Sequence, residues 1–156
     1  MSHTTAIKGI KIVNIEALEN ALAELNSKGI KCSLVPNAVP RAYFENQQGM
    51  GTAAYVIKLD DCAFDIGLYR DEENGGYEAR TDFWEHTSRF GDKKSISALL
   101  GGTPTKAEYT EQAKMGRLFQ TYGIHAAMYE ARRQGKMVQR VEDESTGKVR
   151  LVVSGF

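Results

Sequence analysis

The residues of this chain that could perform acid–base chemistry are one histidine and a few carboxylates. His125 lies in a segment with helical spacing, on a stripe that also carries Tyr122 and Tyr129. A carboxylate such as Asp65 or Asp82 could make His125 a general base if the fold placed the two side chains within hydrogen-bond reach. The same stripe is more typical of a core or boundary histidine that forms a hydrogen bond with a neighbour. An enzyme built on His125 is therefore the last of three hypotheses.

Carboxylates and histidines do not form a metal-binding pattern in this sequence. None of the three histidines stands in HxxxH, HxH or HExxH spacing. Asp60, Asp61 and Asp65 lie near a predicted turn and could offer oxygen ligands to a divalent cation. Their spacing is not that of an EF-hand, and aspartate is common in turns for local reasons. We therefore expect no metal and no other cofactor.

The cysteines indicate a reduced protein rather than a disulfide framework. Cys32 and Cys62 form no CxxC pair, and neither has a histidine nearby in the sequence that would favour the thiolate. The first five residues carry no signal-peptide pattern, and no apolar run reaches the roughly eighteen residues of a spanning helix. We expect a cytoplasmic protein with two buried thiols.

A group of aromatic residues lies in the stretch Asp65–Trp84, which predicts a β-hairpin. Its two arms alternate with the period of a strand, and Asn74-Gly75-Gly76 supplies the positive-φ positions of a tight turn. Aromatic side chains within an acidic surrounding suit a protein partner better than a phosphate backbone. The predicted partner-binding residues are Tyr69, Tyr77, Asp82, Phe83 and Trp84.

Charge is balanced over the 156 residues, with 20 basic and 20 acidic side chains, but it is unevenly distributed. Residues 45–92 contain eleven acidic and four basic residues, whereas residues 114–150 contain eight basic and four acidic ones. Solvated faces of opposite sign explain this, and so would a nucleic-acid contact near the C-terminus. The residues of that contact would be Arg132, Arg133, Lys136, Arg140 and Arg150.

The elements that must position these side chains follow from periodicity and from capping residues. Asn14 is a good N-cap for a helix over Ile15–Lys28. The strand before it carries a bulge near Gly9, and the strand after it should stop at Pro36. The predicted strands are Thr5–Val13, Ile30–Val35, Thr52–Leu59, Ala63–Arg70, Tyr77–Phe83, Met137–Val141 and Lys148–Val153, with Val39–Phe44 as a continuation or an edge strand.

The second half of the chain has a weaker pattern. Glu85–Gly102 reads as a long loop with one helical turn. Helical spacing runs from Thr105 to Gln134, beginning at a Thr105–Glu108 capping box. We expect residues 1–156 to form one α+β domain in the order β-α-β-β-β-β-α-β-β, with two helices on one face of a mostly antiparallel sheet.

Four short motifs then suggest a family. In chain order they are Met1-Ser2-His3 before an isoleucine-rich strand, Asp65-Ile66-Gly67 with Gly76-Tyr77-Glu78 and Asp82-Phe83-Trp84, Tyr122-x-x-His125 with Glu130-Ala131 and Gly135, and Gly147–Val153. The sequence resembles the conserved plastid reading-frame family of the Ycf type, a domain of unknown function also met in cyanobacteria, other bacteria and phages. It departs from the family pattern in Glu85–Gly102, which looks like an insertion, and in the single Trp84 after Phe83.

The resemblance implies an accessory role and no catalytic residue, because bacterial members often stand beside genes for AAA-type ATPases. The leading hypothesis is a small non-enzymatic accessory or adaptor protein. It would bind a protein partner, or a second copy of itself, through its sheet face and the Asp65–Trp84 hairpin. The first alternative is a nucleic-acid-binding accessory protein, and the second is the His125 enzyme.

Overall fold

The computed structural model describes residues 4–42, 51–82, 93–101, 115–143, 145 and 148–155, with side chains from residue 11 onward. Within these ranges the chain forms an α+β fold, as predicted. The elements are β1 (Thr4–Ile12), α1 (Ile15–Ser27), β2 (Cys32–Ala38), β3 (Ala53–Leu59), β4 (Ile66–Arg70), β5 (Tyr77–Asp82), α2 (Ile96–Leu100), α3 (Gly116–Arg133), β6 (Met137–Glu142) and β7 (Val149–Ser154).

Five strands make one antiparallel sheet in the order β1-β5-β4-β3-β2. The strands β6 and β7 form a separate antiparallel hairpin, which we call the C-terminal hairpin. Helices α1 and α3 pack together against one face of the large sheet, and the C-terminal hairpin packs against α3. The prediction of two helices on one face of a mostly antiparallel sheet is confirmed.

Helix α1 begins as its sequence predicts. The Asn14 side chain accepts a hydrogen bond from the backbone N–H of Ala17 at 3.0 Å, which satisfies one of the free donors of the first turn. The buried side chains of α1 recur at helical spacing and face the sheet, and they are Ala17, Leu18, Ala21, Leu22 and Leu25.

The side chain of Tyr122 on α3 forms hydrogen bonds with the backbone just before α1. Its hydroxyl oxygen accepts from the backbone N–H groups of Val13 at 2.9 Å and Asn14 at 3.1 Å. Both amides precede the first helical hydrogen bonds and need a partner from outside the helix. The stripe that contains Tyr122 is therefore a packing stripe at this point.

The prediction that β2 stops at Pro36 is wrong. The strand continues to Ala38, and Pro36 pairs with Tyr55 of β3. Because β2 is an edge strand, a residue without an N–H group is tolerated there. Residues 39–42 are not in a strand, and the remaining residues of the predicted Val39–Phe44 strand lie outside the described ranges. The predicted irregularity near Gly9 is confirmed, because the register of β1 on β5 shifts between Ile7 and Ile12.

The loop predicted over Glu85–Gly102 contains one short helix where it is described. Helix α2 has five residues, and the hydroxyl of Ser95 accepts from the backbone N–H of Ala98 at 3.2 Å. Helix α3 is described from Gly116, so the predicted Thr105–Glu108 capping box lies outside the described residues.

The second face of the sheet is crossed by the segment after β2. Pro40 is buried against Gly67 of β4, where a Cβ atom would lie 2.7 Å from Pro40 Cγ and 2.7 Å from Tyr69 Cε2. A side chain at position 67 would therefore force Pro40 or Tyr69 to move. Val56 lies on this same face by strand alternation and is fully buried. This face is therefore covered over its centre rather than open.

Candidate functional site

The residues predicted to bind a partner on the Asp65–Trp84 hairpin do not share one surface. Tyr69 pairs with Glu78, and Arg70 pairs with Tyr77, so strand alternation puts Tyr69 and Tyr77 on opposite faces of the sheet. Tyr77 packs against the core on the helix side and makes an edge contact with Tyr55 at 5.6 Å between ring centroids. The expectation of one outward aromatic cluster is wrong for these two residues.

Asp82 is also no surface residue, because it is fully buried at the end of β5. Phe83 and Trp84 lie outside the described residues. Tyr69 and Asp82 both lie on the second face of the sheet, and of these two only Tyr69 is partly exposed.

Tyr69 is half-buried and lies over Gly67, with the guanidinium carbon of Arg80 4.5 Å from its ring centroid. Burial raises the pKa of Tyr69, and the positive charge of Arg80 opposes that rise. Its hydroxyl is buried without a hydrogen-bond partner among the described residues. The ring belongs to the packing of this face, which leaves little of it for a partner.

Asp65 serves as a structural link to the segment that crosses the sheet. The Arg41 guanidinium donates to both carboxylate oxygens of Asp65 at 2.7–3.1 Å, and the Arg41 backbone N–H donates to Oδ2 at 2.9 Å. The backbone N–H of Asp65 in turn donates to the Arg41 carbonyl at 2.9 Å. This pairing raises the pKa of Arg41, and it engages Asp65 fully within the structure.

The carboxylate that pairs with His125 is therefore neither of the two that the sequence suggested. Its Nε2 lies 2.9 Å from Oε1 of Glu24 on α1. The expectation that His125 pairs with Asp65 or Asp82 is wrong, because α3 packs on α1 rather than on the ends of β4 and β5.

Glu24 is the centre of a charged network that joins three elements, and we call it the Glu24 network. Arg140 of β6 donates from Nη2 to Oε2 of Glu24 at 3.0 Å, and the same nitrogen lies 2.9 Å from Oε1 of Glu142. Lys28 lies 3.1 Å from Oε2 of Glu24, one helical turn further along α1. The Arg140 guanidinium, with help from His125 and Lys28, lowers the pKa of Glu24 from 4.5 to about 2. The carboxylate is consequently ionised at every physiological pH.

A cleft of about 390 Å³ opens between α1 and α3 beside this network, and we call it the α1–α3 cleft. Its lining residues are Glu16 and Asn20 from α1 with His125, Tyr129, Arg132 and Arg133 from α3. The two arginines give the cleft an excess of positive charge over Glu16. This lining contains no serine, threonine or cysteine among the described residues, so it lacks the usual nucleophiles of covalent catalysis.

The basic residues predicted for nucleic-acid binding are only partly available. Arg140 is committed to Glu24 and Glu142, and Arg133 donates to Glu130 at 2.9 Å. Arg132 and Arg150 are exposed, and Lys136 is half-buried. The structure thus brings Arg132 and Arg133 together at the α1–α3 cleft and uses Arg140 as a structural cation.

The two thiols are buried, as predicted, and poorly suited to reaction. Burial raises the pKa of Cys32 to about 11, and it raises that of Cys62 to about 11. The thiolate is the reactive form of cysteine, so both side chains behave as small apolar residues at neutral pH. Within the described residues, no group of three or more histidine, cysteine, aspartate or glutamate side chains could hold a metal ion.

The C-terminal hairpin carries much of the exposed apolar surface of the described chain. Met137 is 75% exposed, Val153 48% and Val152 41%, and only Val13 and Val39 are comparable among large apolar residues of the described ranges. The hairpin register is regular over six residue pairs, from Met137 with Ser154 to Glu142 with Val149. By alternation, Arg140 and Val149 turn toward the helices, and Met137 and Val152 turn away from them.

Comparison with protein-family models, with curated proteins and with solved structures found no match to this chain. The described helices include none that is both long enough and apolar enough to cross a membrane.

The sequence contained one usable signal for the C-terminal hairpin that the aromatic argument overlooked. Met137, Val152 and Val153 stand in two short strands that have only each other as sheet neighbours. A two-stranded hairpin has two faces and only one can rest on α3, so Met137 and Val152, which lie on the other face, remain exposed. Val153 lies on the face of Arg140 and is exposed near the end of β7. The Glu24 network had no such signal, because its members are separated by up to 116 positions in the chain.

Proposed function

We propose that this chain is a non-enzymatic accessory or adaptor protein that binds another protein chain through its C-terminal hairpin. The observation that carries the proposal is the exposure of Met137, Val152 and Val153 on one small hairpin. Met137 and Val152 lie on the same face of the hairpin, the one turned away from the helices, and Val153 is exposed on the other face. Exposed apolar side chains with polar residues around them are typical of protein-binding surfaces.

In this proposal the Asp65–Trp84 hairpin stabilises the fold and does not contact the partner. Tyr77 and Asp82 are engaged on the inside, and Tyr69 is held between Gly67 and Arg80. An AAA-type ATPase is the partner that the resemblance to the Ycf-type family favours, and that resemblance stays a prediction.

Site-specific photocrosslinking in cells tests which hairpin binds. A photoreactive amino acid at position 137 or 152 should yield one discrete adduct, and the same probe at Glu72, in the exposed turn between β4 and β5, should yield none. The mass of the adduct tells whether the partner is another protein, such as an ATPase, or a second copy of the chain. Adducts from position 72 alone would mean that the partner binds the Asp65–Trp84 hairpin instead. The absence of adducts at all three positions would contradict the proposal.

A second candidate function, the binding of an anionic ligand such as single-stranded nucleic acid, has support from the α1–α3 cleft. Arg132 and Arg133 stand there beside the imidazole of His125 and the ring of Tyr129, a combination that can pair with phosphate and stack on a base. Binding of a single-stranded oligonucleotide should weaken steeply as the salt concentration rises. Arg132→Gln should weaken binding to oligonucleotides of any nucleotide sequence, because a phosphate contact does not depend on the bases. Equal retention of the chain and of Arg132→Gln on the oligonucleotide would end this candidate.

A further inference from the structure

We infer that the free edge of β7 pairs antiparallel with β7 of a second copy of this chain, which makes one four-stranded sheet from two C-terminal hairpins. The inference rests on the proposed function and names the partner that the hairpin fits best. Two hairpins joined in this way would form one four-stranded sheet, and the second hairpin would add to the support that α3 already gives, because a two-stranded hairpin is marginal in water without such packing.

The edges of the large sheet are protected against such pairing, and β7 is not. On β2, Pro36 lacks a donor and Asn37 has a positive φ of 50°, which interrupts the regular edge. On β1 the register shifts between Ile7 and Ile12. Prolines and irregularities of this kind are the usual protection of edge strands. Strand β7 has neither, keeps its register over all six residues and carries Arg150 as its one charge.

The backbone of β7 offers donors and acceptors along its outer edge. The N–H of Asp143 donates to the carbonyl of Lys148 at 2.9 Å, so residues at even positions of β7 direct their backbone groups toward β6. The odd positions Val149, Leu151 and Val153 then direct their N–H and C=O groups away from β6. Within the described chain these groups have no strand beside them.

Antiparallel pairing about a two-fold axis at Val152 places compatible side chains opposite one another. Val152 faces its own counterpart, Leu151 faces Val153, and Arg150 faces Ser154. Every pair lies on a common face of the sheet, because the two positions of each pair are both odd or both even. The arrangement brings no like charges together and covers Val152 and Val153, two of the exposed apolar residues.

The mass of the full-length chain in solution, measured by light scattering over a range of concentrations, is the first test. We expect a dimer, and we expect Val152→Lys to convert it to a monomer, because that change puts two lysines opposite each other at the axis. Val39→Lys is the matched control, since Val39 is 45% exposed and lies far from the hairpin in sequence. A wild-type monomer at all concentrations, or a dimer that Val152→Lys leaves intact, would overturn the inference.

Disulfide crosslinking tests the register and does not depend on whether the lysine variant folds. Val152→Cys should form a covalent dimer when oxidised glutathione is added to accept the two electrons. Position 152 and its counterpart form a non-hydrogen-bonded pair, the closer kind, whose Cβ atoms lie about 4.5 Å apart, at the upper end of the range for a disulfide. Arg150→Cys should not crosslink to itself, since its opposite residue is Ser154. Equal crosslinking of the two variants would exclude this register, and no crosslink at either position would exclude the strand pairing.

The result also separates this inference from the proposed function. If the chain is a monomer but the probe at position 152 captures a different protein, the hairpin binds a partner and the self-pairing is wrong. If the chain is a monomer and no adduct forms, both are wrong.

Discussion

Single side chains join distant parts of this chain, and Tyr122 is one whose contribution can be measured. Its hydroxyl serves the N–H groups of Val13 and Asn14 at the start of α1. Tyr122→Phe keeps the ring and leaves both donors without that partner. We expect the free energy of unfolding to fall by about 1–2 kcal/mol, as measured by urea denaturation. Tyr129→Phe on the same helix is the control, because no hydrogen bond of its hydroxyl to a described residue is observed, and a loss equal to that of Tyr122→Phe would contradict the assignment.

Gly67 is the second residue whose role is local and testable. A Cβ atom at this position would approach Pro40 Cγ and Tyr69 Cε2 to 2.7 Å each, well inside normal contact. We expect Gly67→Ala to lower the stability by about 1–3 kcal/mol, because Pro40 or Tyr69 must move.

Gly123 in α3 provides the opposite case for the same substitution. A Cβ there meets nothing within 4 Å, so Gly123→Ala should stabilise the chain by about 0.5–1 kcal/mol through helix propensity alone. Thermal unfolding of Gly67→Ala, Gly123→Ala and the wild type measures both changes in stability. A neutral Gly67→Ala would mean that the segment around Pro40 is not packed on the sheet.

At the scale of elements, the Glu24 network joins α1, α3 and the C-terminal hairpin through one carboxylate. The pKa of Glu24 is lowered from 4.5 to about 2 when the chain folds. Its contribution to stability is therefore complete above pH 4.5, declines as the pH falls, and is lost below about 2.

The pH dependence of Glu24→Gln tests this network. At neutral pH we expect the variant to be about 2 kcal/mol less stable than the wild type, because His125 and Arg140 lose a charged partner. The difference should shrink as the pH falls from about 5 toward 2. Urea denaturation at several pH values measures it, with Glu19→Gln on the exposed side of α1 as the control. A difference that stays constant with pH would show that the lowered pKa contributes nothing to stability.

The elements that the sequence predicted well are those with strong local signals. Asn14 and the apolar stripe of α1 locate that helix to within a residue, and Gly75 and Gly76, with φ of 76° and 73°, form the predicted turn. The end of β2 was misplaced because Pro36 breaks a central strand but not an edge strand. Which strand lies at the edge depends on pairings that are formed elsewhere in the chain.

The candidate site was predictable only in part, for the same reason. His125 was singled out from its chemistry, but its partner Glu24 is 101 positions away and has no sequence pattern that links it to His125. Strand alternation puts Tyr69 on the face away from the helices and Tyr77 on the helix side. The exposure of Tyr69 and Tyr77 was misjudged, because both depend on tertiary packing. The segment around Pro40 covers the face on which Tyr69 lies, and Tyr77 packs against the core on the helix side.

For the whole molecule, the rate at which the buried thiols are labelled measures how often the chain unfolds globally. With a pKa of about 11 each, Cys32 and Cys62 should react with a disulfide reagent at neutral pH only when the chain unfolds. The rate of labelling should therefore rise with urea in parallel with the unfolded fraction. Val39→Cys, at an exposed position, should label at once in the native chain. Immediate reaction of two thiols in the native wild type would contradict the burial of this core.

The strand order of the large sheet has a consequence for how the chain is made. Strands β2, β3 and β4 each pair with the next one along the chain, but β1 pairs with β5, so that Thr4 stands opposite Asp82. A ribosome must release the chain beyond Asp82 before β1 has a partner, and beyond Tyr122 before the start of α1 receives its external acceptor. Of these five strands, the first to be synthesised therefore cannot pair until the fifth has emerged, and until then β1 stays available to a chaperone.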